Sequence, residues 1–251
     1  MKKMQTIDIN CDMGEGLHND AMIMPFISSV NIACGYHAGD EATMKQTVEL
    51  AMVNQVTIGA HPGFADKANF GRTEKQLSPA EIYDLVTEQI YLLQKITDSF
   101  GAWLHHVKPH GALYNMSAKD TVLANTIAKA VYDFDSSLLL FGLSGTHSIS
   151  EATKTGLKSV SETFADRTYQ DNGSLTPRNQ ANALIDSTDN CIKQVLQMIL
   201  QKTVTSVTGK TVPIIAETIC LHGDGNHAVH FAATIYQVLQ QHRIPIQSIL
   251  Q

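Results

Sequence analysis

The chain has 251 residues, of which 43% are hydrophobic and 17% charged, and this length suits one (β/α) barrel domain, which we expect to span residues 1–251. Its net charge is −6, with scattered acids and 6% aromatic residues, so it lacks the basic stripe or stacking surface of a nucleic-acid-binding protein. We find no signal-peptide pattern and no stretch apolar enough to span a bilayer, so we expect a cytoplasmic protein without a membrane partner.

Apolar runs and amphipathic segments alternate in the first part of the chain. Runs rich in β-branched residues predict strands at residues 6–9, 30–33 and 56–60. Between the second and third of these strands, apolar residues at helical spacing predict a helix over residues 41–54. The order strand, helix, strand is that of a βαβ unit.

The clearest helix is predicted over residues 79–100. Ser78 can cap its first turn, Pro79 suits the first helical position, and Glu81 completes a capping box. The helix leads to a strand predicted at residues 103–107.

The later elements repeat this alternation. Asp120 is the predicted N-cap of a helix that leads to the most hydrophobic strand, residues 138–143. A strand buried on both faces implies a parallel sheet. After it we predict a helix at 149–155, a strand at 158–163, a long loop over 167–180, a helix at 192–200, a hairpin at 204–212 and a strand at 214–221.

Seven apolar runs end in polar side chains of the kinds that enzymes use. The clusters contain Asn10, Asp12 and Glu15; His37 and Asp40; His61; Lys108 and His110; Ser144 and His147; Glu162, Asp166 and Arg167; and His222 and Asp224. In a (β/α) barrel the carboxyl ends of the strands meet at one rim, where the active site lies. We therefore predict an enzyme whose clusters converge at one mouth.

Six sequence blocks carry a family resemblance over nearly the whole chain. They are residues 8–15, 31–40, 59–62 with 70–72, 107–115, 162–167 and 220–224. In this order they resemble the signature blocks of the LamB/YcsF family. The resemblance implies an α/β fold, an irregular, seven-stranded (β/α) barrel of the glycoside hydrolase/deacetylase type. It also implies a 5-oxoprolinase A subunit, which opens 5-oxo-L-proline to L-glutamate with ATP, together with B and C subunits.

The clusters supply candidate residues for this reaction. We expect catalytic roles for Asp12, Glu15, Lys108, His110, Glu162 and Asp166. We expect substrate or nucleotide binding by Asn10, Asp40, Arg72, Arg167, His222 and Asp224. Lys108 and Arg167 are the cations that would stabilise a phosphoryl group passing from ATP to the lactam oxygen, after which a carboxylate activates water.

Two alternatives stay open. In the first, a divalent metal polarises the carbonyl, and Asp12, His37 and His61 offer the ligands of a metal-dependent deacetylase or amidohydrolase. In the second, the barrel is a non-catalytic subunit that binds oxoproline and organises the other subunits.

Several candidates also have purely structural interpretations. Asp40 suits the N-cap of the helix at 41–54, Lys108 could form a salt bridge to a neighbouring acid, and Arg167 could anchor the loop that follows it. Residues 209–211 resemble the end of a phosphate-binding loop. They lack its earlier glycine, so we interpret them as a hairpin turn.

Overall fold

The computed structural model describes residues 6–223 and 228–249. Within them the strands are β1 (Asp8–Met13), β2 (Ser29–Ala33), β3 (Thr57–His61), β4 (Leu104–Val107), β5 (Leu139–Leu143), β6 (Ser159–Phe164), β7 (Thr203–Thr205), β8 (Thr211–Pro213) and β9 (Thr218–His222). Seven of them form a closed parallel barrel in the order β1-β2-β3-β4-β5-β6-β9. The predicted fold class is therefore confirmed.

Helices alternate with the barrel strands, and several of them pack directly against the strands. They are α1 (Asp20–Ile23), α2 (Glu41–Asn54), α3 (Pro79–Ser99), α4 (Gly111–Ser117), α5 (Thr121–Phe134), α6 (His147–Thr155), α7 (Thr188–Leu196) and α8 (Ala228–Gln241). Across residues 6–223 and 228–249, no helix combines the length and apolar character needed to cross a bilayer.

The helix caps follow the sequence. The hydroxyl of Ser78 accepts a hydrogen bond from the Glu81 N–H, and the Glu81 carboxylate accepts one from the Ser78 N–H at 2.7 Å, so the capping box is confirmed. Asp120 caps α5 by accepting from the N–H groups of Val122 and Leu123.

Much of the barrel interior is polar. Along β1, Ile9, Cys11 and Met13 belong to the hydrophobic core, whereas Asn10 and Asp12 alternate with them on the other face. Asn10 forms hydrogen bonds with side chains of β2, β6 and β9, so this face of β1 points into the barrel. The predicted strand at 6–9 therefore ended too early, because the polar residues continue the strand to Met13. It also began too early, because Ile7 pairs with Ile246 in an isolated bridge outside β1.

The last barrel strand also differs from its prediction. β9 begins at Thr218 and not at residue 214, because the N–H groups of residues 214 and 215 donate to groups outside the barrel strands. The N–H of Ile215 donates to the hydroxyl of Ser144 at 3.1 Å. β9 pairs with both β1 and β6, and this closes the barrel.

The alternation of strand and helix is interrupted between β6 and β9. A long loop over residues 165–187 follows β6, and an antiparallel hairpin of β7 and β8 precedes β9. Gly209 lies in the hairpin turn with φ of +87°, a conformation that favours glycine. The predicted hairpin is confirmed, and residues 209–211 belong to it.

Candidate active site

The carboxyl ends of the barrel strands surround a cavity of about 1040 Å³. Its wall includes Asp12 from β1, His61 from β3, Lys108 after β4 and His222 from β9. The barrel therefore brings together, at one mouth, side chains that are far apart in the sequence.

Lys108 is the central positive charge of this site. It is 2% exposed, and its ammonium group lies 2.8 Å from Asp12 Oδ1 and 2.8 Å from Glu162 Oε1. It also donates to Asn10 Oδ1 at 3.2 Å and to Cys220 Sγ at 3.1 Å. Burial would lower the pKa of Lys108, but Asp12, Cys220 and Glu162 hold that pKa well above its ordinary value. The ammonium therefore stays charged between two acids.

Asp12 is held by groups on three neighbouring strands or strand ends. Its Oδ1 accepts hydrogen bonds from Lys108 and, at 2.8 Å, from Asn31 Nδ2, while its Oδ2 lies 3.4 Å from His61 Nε2. Burial would raise the pKa of Asp12, but its contacts with His61 and the Lys108 ammonium hold it well below its usual range. Asp12 is thus an ionised carboxylate on the cavity wall.

Glu15, His37, His61 and His110 form a second group, the imidazole cluster. Oε1 of Glu15 lies 3.3 Å from His37 Nε2, 3.3 Å from His110 Nδ1 and 3.8 Å from His61 Nε2. The rings of His37 and His110 stack with centroids 3.7 Å apart. Burial lowers the pKa of His37 to about 3 and also lowers the pKa of His110, so both rings are neutral at pH 7.

Two groups of donor atoms in the described residues are close enough to hold a metal ion. One is the imidazole cluster, and the other consists of Asp12, Cys220 and His222. The set expected from the sequence joined Asp12 to His37 and His61, but the carboxylate paired with His37 is Glu15. Imidazoles with a carboxylate suit Zn²⁺ or a related divalent ion.

His222 and Asp166 form a hydrogen-bonded pair at the same mouth. Oδ1 of Asp166 lies 2.9 Å from His222 Nδ1, and Oδ2 accepts from the His222 N–H at 3.2 Å. The ring of Phe164 stacks on the imidazole with centroids 5.5 Å apart. Burial would raise the pKa of Asp166, but His222 holds it below its ordinary value.

Arg167 anchors the loop that follows β6. It is 4% exposed, and its guanidinium donates to the carbonyl oxygens of Thr176 at 2.6 Å and Ala183 at 3.3 Å. The residue also contributes to the cavity wall. The structure thus gives Arg167 the anchoring contacts considered from the sequence.

The remaining candidates lie in different places. Asp40 is exposed and caps α2 by accepting from the N–H and hydroxyl of Thr43, each at 2.8 Å. Arg72 lines the cavity, and its guanidinium lies 4.8 Å from the centroid of the Phe70 ring. Asp224 lies outside the described residues.

Three residues of the site were not among the sequence candidates. Asn31 donates from Nδ2 to both Asn10 and Asp12, Cys220 contacts the central ammonium, and Tyr114 of α4 lines the cavity. A polar residue in an otherwise apolar strand is the signal that could have identified Asn31.

Comparison with known proteins places the chain in a family. It matches the model of the LamB/YcsF family over residues 7–251. The chain belongs to the LamB/YcsF family. The resemblance found in the six sequence blocks is thus confirmed.

Two curated relatives of this family member carry the same name. The chain is 49% identical over 250 residues to the A subunit of 5-oxoprolinase from Tolumonas auensis, covering 98% of this chain and 100% of that protein. It is 50% identical over 249 residues to the A subunit of 5-oxoprolinase from Bacillus cereus (strain Q1), covering 97% and 98%.

Solved structures show the same barrel. The lactam utilization protein from Thermus thermophilus has a TM-score of 0.92 and 38% identity, covering 98% of this chain and 100% of that one. A family 4 carbohydrate esterase from Streptomyces lividans has a TM-score of 0.53 and 12% identity, covering 98% and 93%. The second similarity shows a shared fold alone.

Proposed function

We propose that this protein is the A subunit of an ATP-dependent 5-oxoprolinase, which opens the lactam of 5-oxo-L-proline to L-glutamate. The observation that carries the proposal is the 49% and 50% identity, over nearly full lengths, to proteins named as the 5-oxoprolinase A subunit. The naming of those relatives as one subunit supports separate B and C subunits as partners. A reaction that consumes ATP supports a cytoplasmic location.

The substrate explains why ATP is needed. A five-membered lactam is a planar, resonance-stabilised amide without the ring strain of a β-lactam, so water opens it very slowly. Transfer of the γ-phosphoryl group of ATP to the lactam oxygen gives ADP and an imidate phosphate, whose carbon is more electrophilic. One water adds to this carbon and the C–N bond breaks. The nitrogen, which lost its proton when the imidate formed, takes both protons of this water and leaves as the amino group. A second water hydrolyses the acyl phosphate to L-glutamate and orthophosphate.

The pair of Asp166 and His222 suits the proton transfers of ring opening. Asp166 accepts a hydrogen bond from Nδ1 of His222 and orients the ring, so Nε2 is the nitrogen that exchanges protons. We assign to His222 the removal of a proton from the attacking water and its delivery to the lactam nitrogen. Lys108 stabilises the negative charge of the phosphoryl group as it passes to the lactam oxygen.

The cavity has room for both reactants. Pockets for one small ligand span roughly 300–1,000 Å³, and this cavity measures about 1040 Å³. Arg72, Lys119 and Arg178 line its wall. Because cations bind phosphate oxygens strongly, we place the phosphates of ATP against this part of the wall.

The alternatives receive less support. The similarity to a carbohydrate esterase concerns the fold alone, so it does not favour a deacetylase reaction. A divalent metal in the imidazole cluster would polarise a carbonyl and lower the pKa of a bound water. A complex whose barrel is non-catalytic would keep its activity after substitution of Asp12.

The assay that tests the proposal measures glutamate and ADP formed from 5-oxoproline and ATP. We expect little turnover by the purified chain alone and coupled formation of both products by the chain with its B and C partners. Glutamate formation at full rate without ATP or partners would contradict the proposal.

A matched pair of variants tests whether the barrel itself carries the chemistry. Asp12→Asn keeps the shape of the side chain but removes its charge, and it should lower kcat by about 100-fold or more. Lys210→Met, exposed in the hairpin, should leave kcat unchanged. Both complexes should still assemble, as size-exclusion chromatography would show. Full activity of the Asp12→Asn complex would instead support the non-catalytic alternative.

A further inference from the structure

The hydrogen bonds of two neighbouring histidines define the protonation of their rings. Nδ1 of His61 lies 2.7 Å from the carbonyl oxygen of Lys108, and Nε2 of His110 lies 2.9 Å from the carbonyl oxygen of Phe70. A carbonyl oxygen only accepts hydrogen bonds, so each of these nitrogens carries a proton. When neither ring carries a second proton, Nε2 of His61 and Nδ1 of His110 therefore both present lone pairs.

These two lone-pair nitrogens lie 2.9 Å apart. Two lone pairs at this distance repel each other unless a cation, either a proton or a metal ion, binds both. Glu15 adds a negative charge, because its Oε1 lies 3.3 Å from His110 Nδ1 and 3.8 Å from His61 Nε2. Two imidazole nitrogens and a carboxylate oxygen are ligands that Zn²⁺ and related divalent ions prefer.

The spacing of the three donor atoms also suits a metal ion. Bonds of about 2.0–2.1 Å at tetrahedral angles place ligand atoms roughly 3.3 Å apart, and the three separations here are 2.9, 3.3 and 3.8 Å. Glu15, His61 and His110 all line the cavity. An ion held by three protein ligands would therefore face the cavity, which is the pattern of catalytic and not of structural zinc sites.

His37 contacts the carboxylate of Glu15, one of the three donor groups. It is 1% exposed, and its Nε2 lies 3.3 Å from Glu15 Oε1. Its Nδ1 is buried and has no hydrogen-bond partner within the described part of the chain. Since Nε2 is the nitrogen that reaches the carboxylate, it carries the proton and donates it to Glu15. Such outer partners orient the ligands of a metal.

We propose that Glu15, His61 and His110 bind a divalent transition-metal ion of the Zn²⁺ class, and that His37 positions Glu15. Compared with the set expected from the sequence, Glu15 takes the place of Asp12, and His110 takes the place of His37. The inference goes beyond the oxoprolinase reaction and does not rest on it, because it concerns metal binding alone.

Metal binding can be measured on the full-length, chelator-treated chain. Isothermal titration with Zn²⁺ should give one ion per chain, and Co²⁺ should produce visible ligand-field absorption bands. Glu15→Gln and His110→Gln each remove a ligand, so each should weaken Zn²⁺ binding by about 100-fold or more. His37→Gln should weaken it by about 10-fold without changing the stoichiometry.

The matched control is His147→Gln, since His147 is an exposed imidazole on the same cavity wall. It should bind Zn²⁺ like the wild-type chain. Unchanged Zn²⁺ affinity in Glu15→Gln and His110→Gln, or no binding by the folded wild-type chain, would overturn the proposal.

A measurement on the wild-type chain covers the case in which a variant fails to fold. In ¹⁵N NMR spectra, Zn²⁺ should shift Nε2 of His61 and Nδ1 of His110 and leave the ring of His147 unchanged. Resonances of a proton shared by the two rings, with no response to Zn²⁺, would mean that a proton and not a metal ion lies between the two nitrogens. The proposed metal site would then be wrong. None of these readouts depends on glutamate formation, so the two proposals can fail separately.

Discussion

At the scale of single residues, the orientation of His222 depends on Asp166. The carboxylate contacts both the ring Nδ1 and the backbone N–H of His222, so ring and backbone are held together. Phe164 covers one face of the ring. An imidazole held in one tautomer presents the same nitrogen to every substrate molecule, which general acid–base catalysis requires.

We predict that Asp166→Asn lowers kcat for glutamate formation by about 100-fold. The amide can donate a hydrogen bond to Nδ1, which would stabilise the unproductive tautomer of His222, while KM should change little. Steady-state kinetics of the assembled complex would measure both constants.

The control for this variant is Asp171→Asn in the same loop. Asp171 bonds to Ser206 and Thr208 outside the cavity wall, so kcat should stay near the wild-type value. If Asp166→Asn also kept its kcat within about threefold, the role assigned to His222 would be wrong.

The sequence identified acids and bases, but it did not identify their pairing. Asp12, Lys108 and His222 could be selected because strand ends of a barrel share one rim. Lys108 contacts Asp12 and Glu162 together because of the register of the strands in the closed barrel. The types of the side chains do not reveal this register. The catalytic roles of these residues stay predictions.

At the scale of elements, β3 and β4 approach each other closely at a glycine. A Cβ atom on Gly59 would overlap the buried imidazole of His106. His106 in turn donates from Nε2 to Asn31 Oδ1 at 2.8 Å and stacks on Phe141 with ring centroids 4.1 Å apart. The missing side chain of Gly59 therefore leaves the space that this ring fills.

We predict that Gly59→Ala lowers the free energy of unfolding by about 2–3 kcal/mol, because the interior has no space for the added methyl group. Urea denaturation followed by circular dichroism would measure the change. The double variant with His106→Ala should lose less stability than the sum of the two single losses, since removing the ring removes the overlap. Wild-type stability of Gly59→Ala would contradict the packing described here.

Elements with a regular pattern were predictable, and those with a mixed pattern were not. The bounds of α2 follow from its apolar spacing and its cap. β1 was cut short because Asn10 and Asp12 looked like the start of a turn, although they alternate regularly with Ile9 and Cys11. The short helix α4 was missed because it begins inside the polar block that follows β4.

At the scale of the whole molecule, buried histidines couple stability to pH, and two of them, His105 and His106, lie outside the imidazole cluster. Burial lowers the pKa of both His105 and His106 below the ordinary value. In the unfolded chain a histidine has a pKa of about 6.5. Below that pH the unfolded chain therefore binds protons that the folded chain does not, so stability falls as the pH falls.

We predict that the free energy of unfolding decreases from pH 7 to pH 5 by up to about 1.4 kcal/mol per pH unit for each such histidine. Urea denaturation at several pH values would give the slope. His106→Gln, whose amide can still donate to Asn31, should reduce the slope by about one histidine's share. Replacing the exposed His242 by Gln should not change it, and an equal slope in all three proteins would refute the prediction.

The barrel as a whole was predictable because its strands appear as seven apolar runs separated by helices. Between β6 and β9 the sequence predicted a loop and a hairpin, but not how they lie. The contacts of the loop with the active-site cavity depend on the tertiary structure. The expectation of one domain over residues 1–251 stays a prediction, because residues 1–5, 224–227 and 250–251 lie outside the described part.

The pairing of β1 with β9 has a consequence during protein synthesis. The ribosome makes β1 first and its neighbour β9 only after all the other strands. One edge of β1 therefore remains without its partner while most of the chain is translated, and an open edge can pair with other chains. We expect the nascent polypeptide to need a chaperone, and slower translation or a lower growth temperature to raise the yield of native protein.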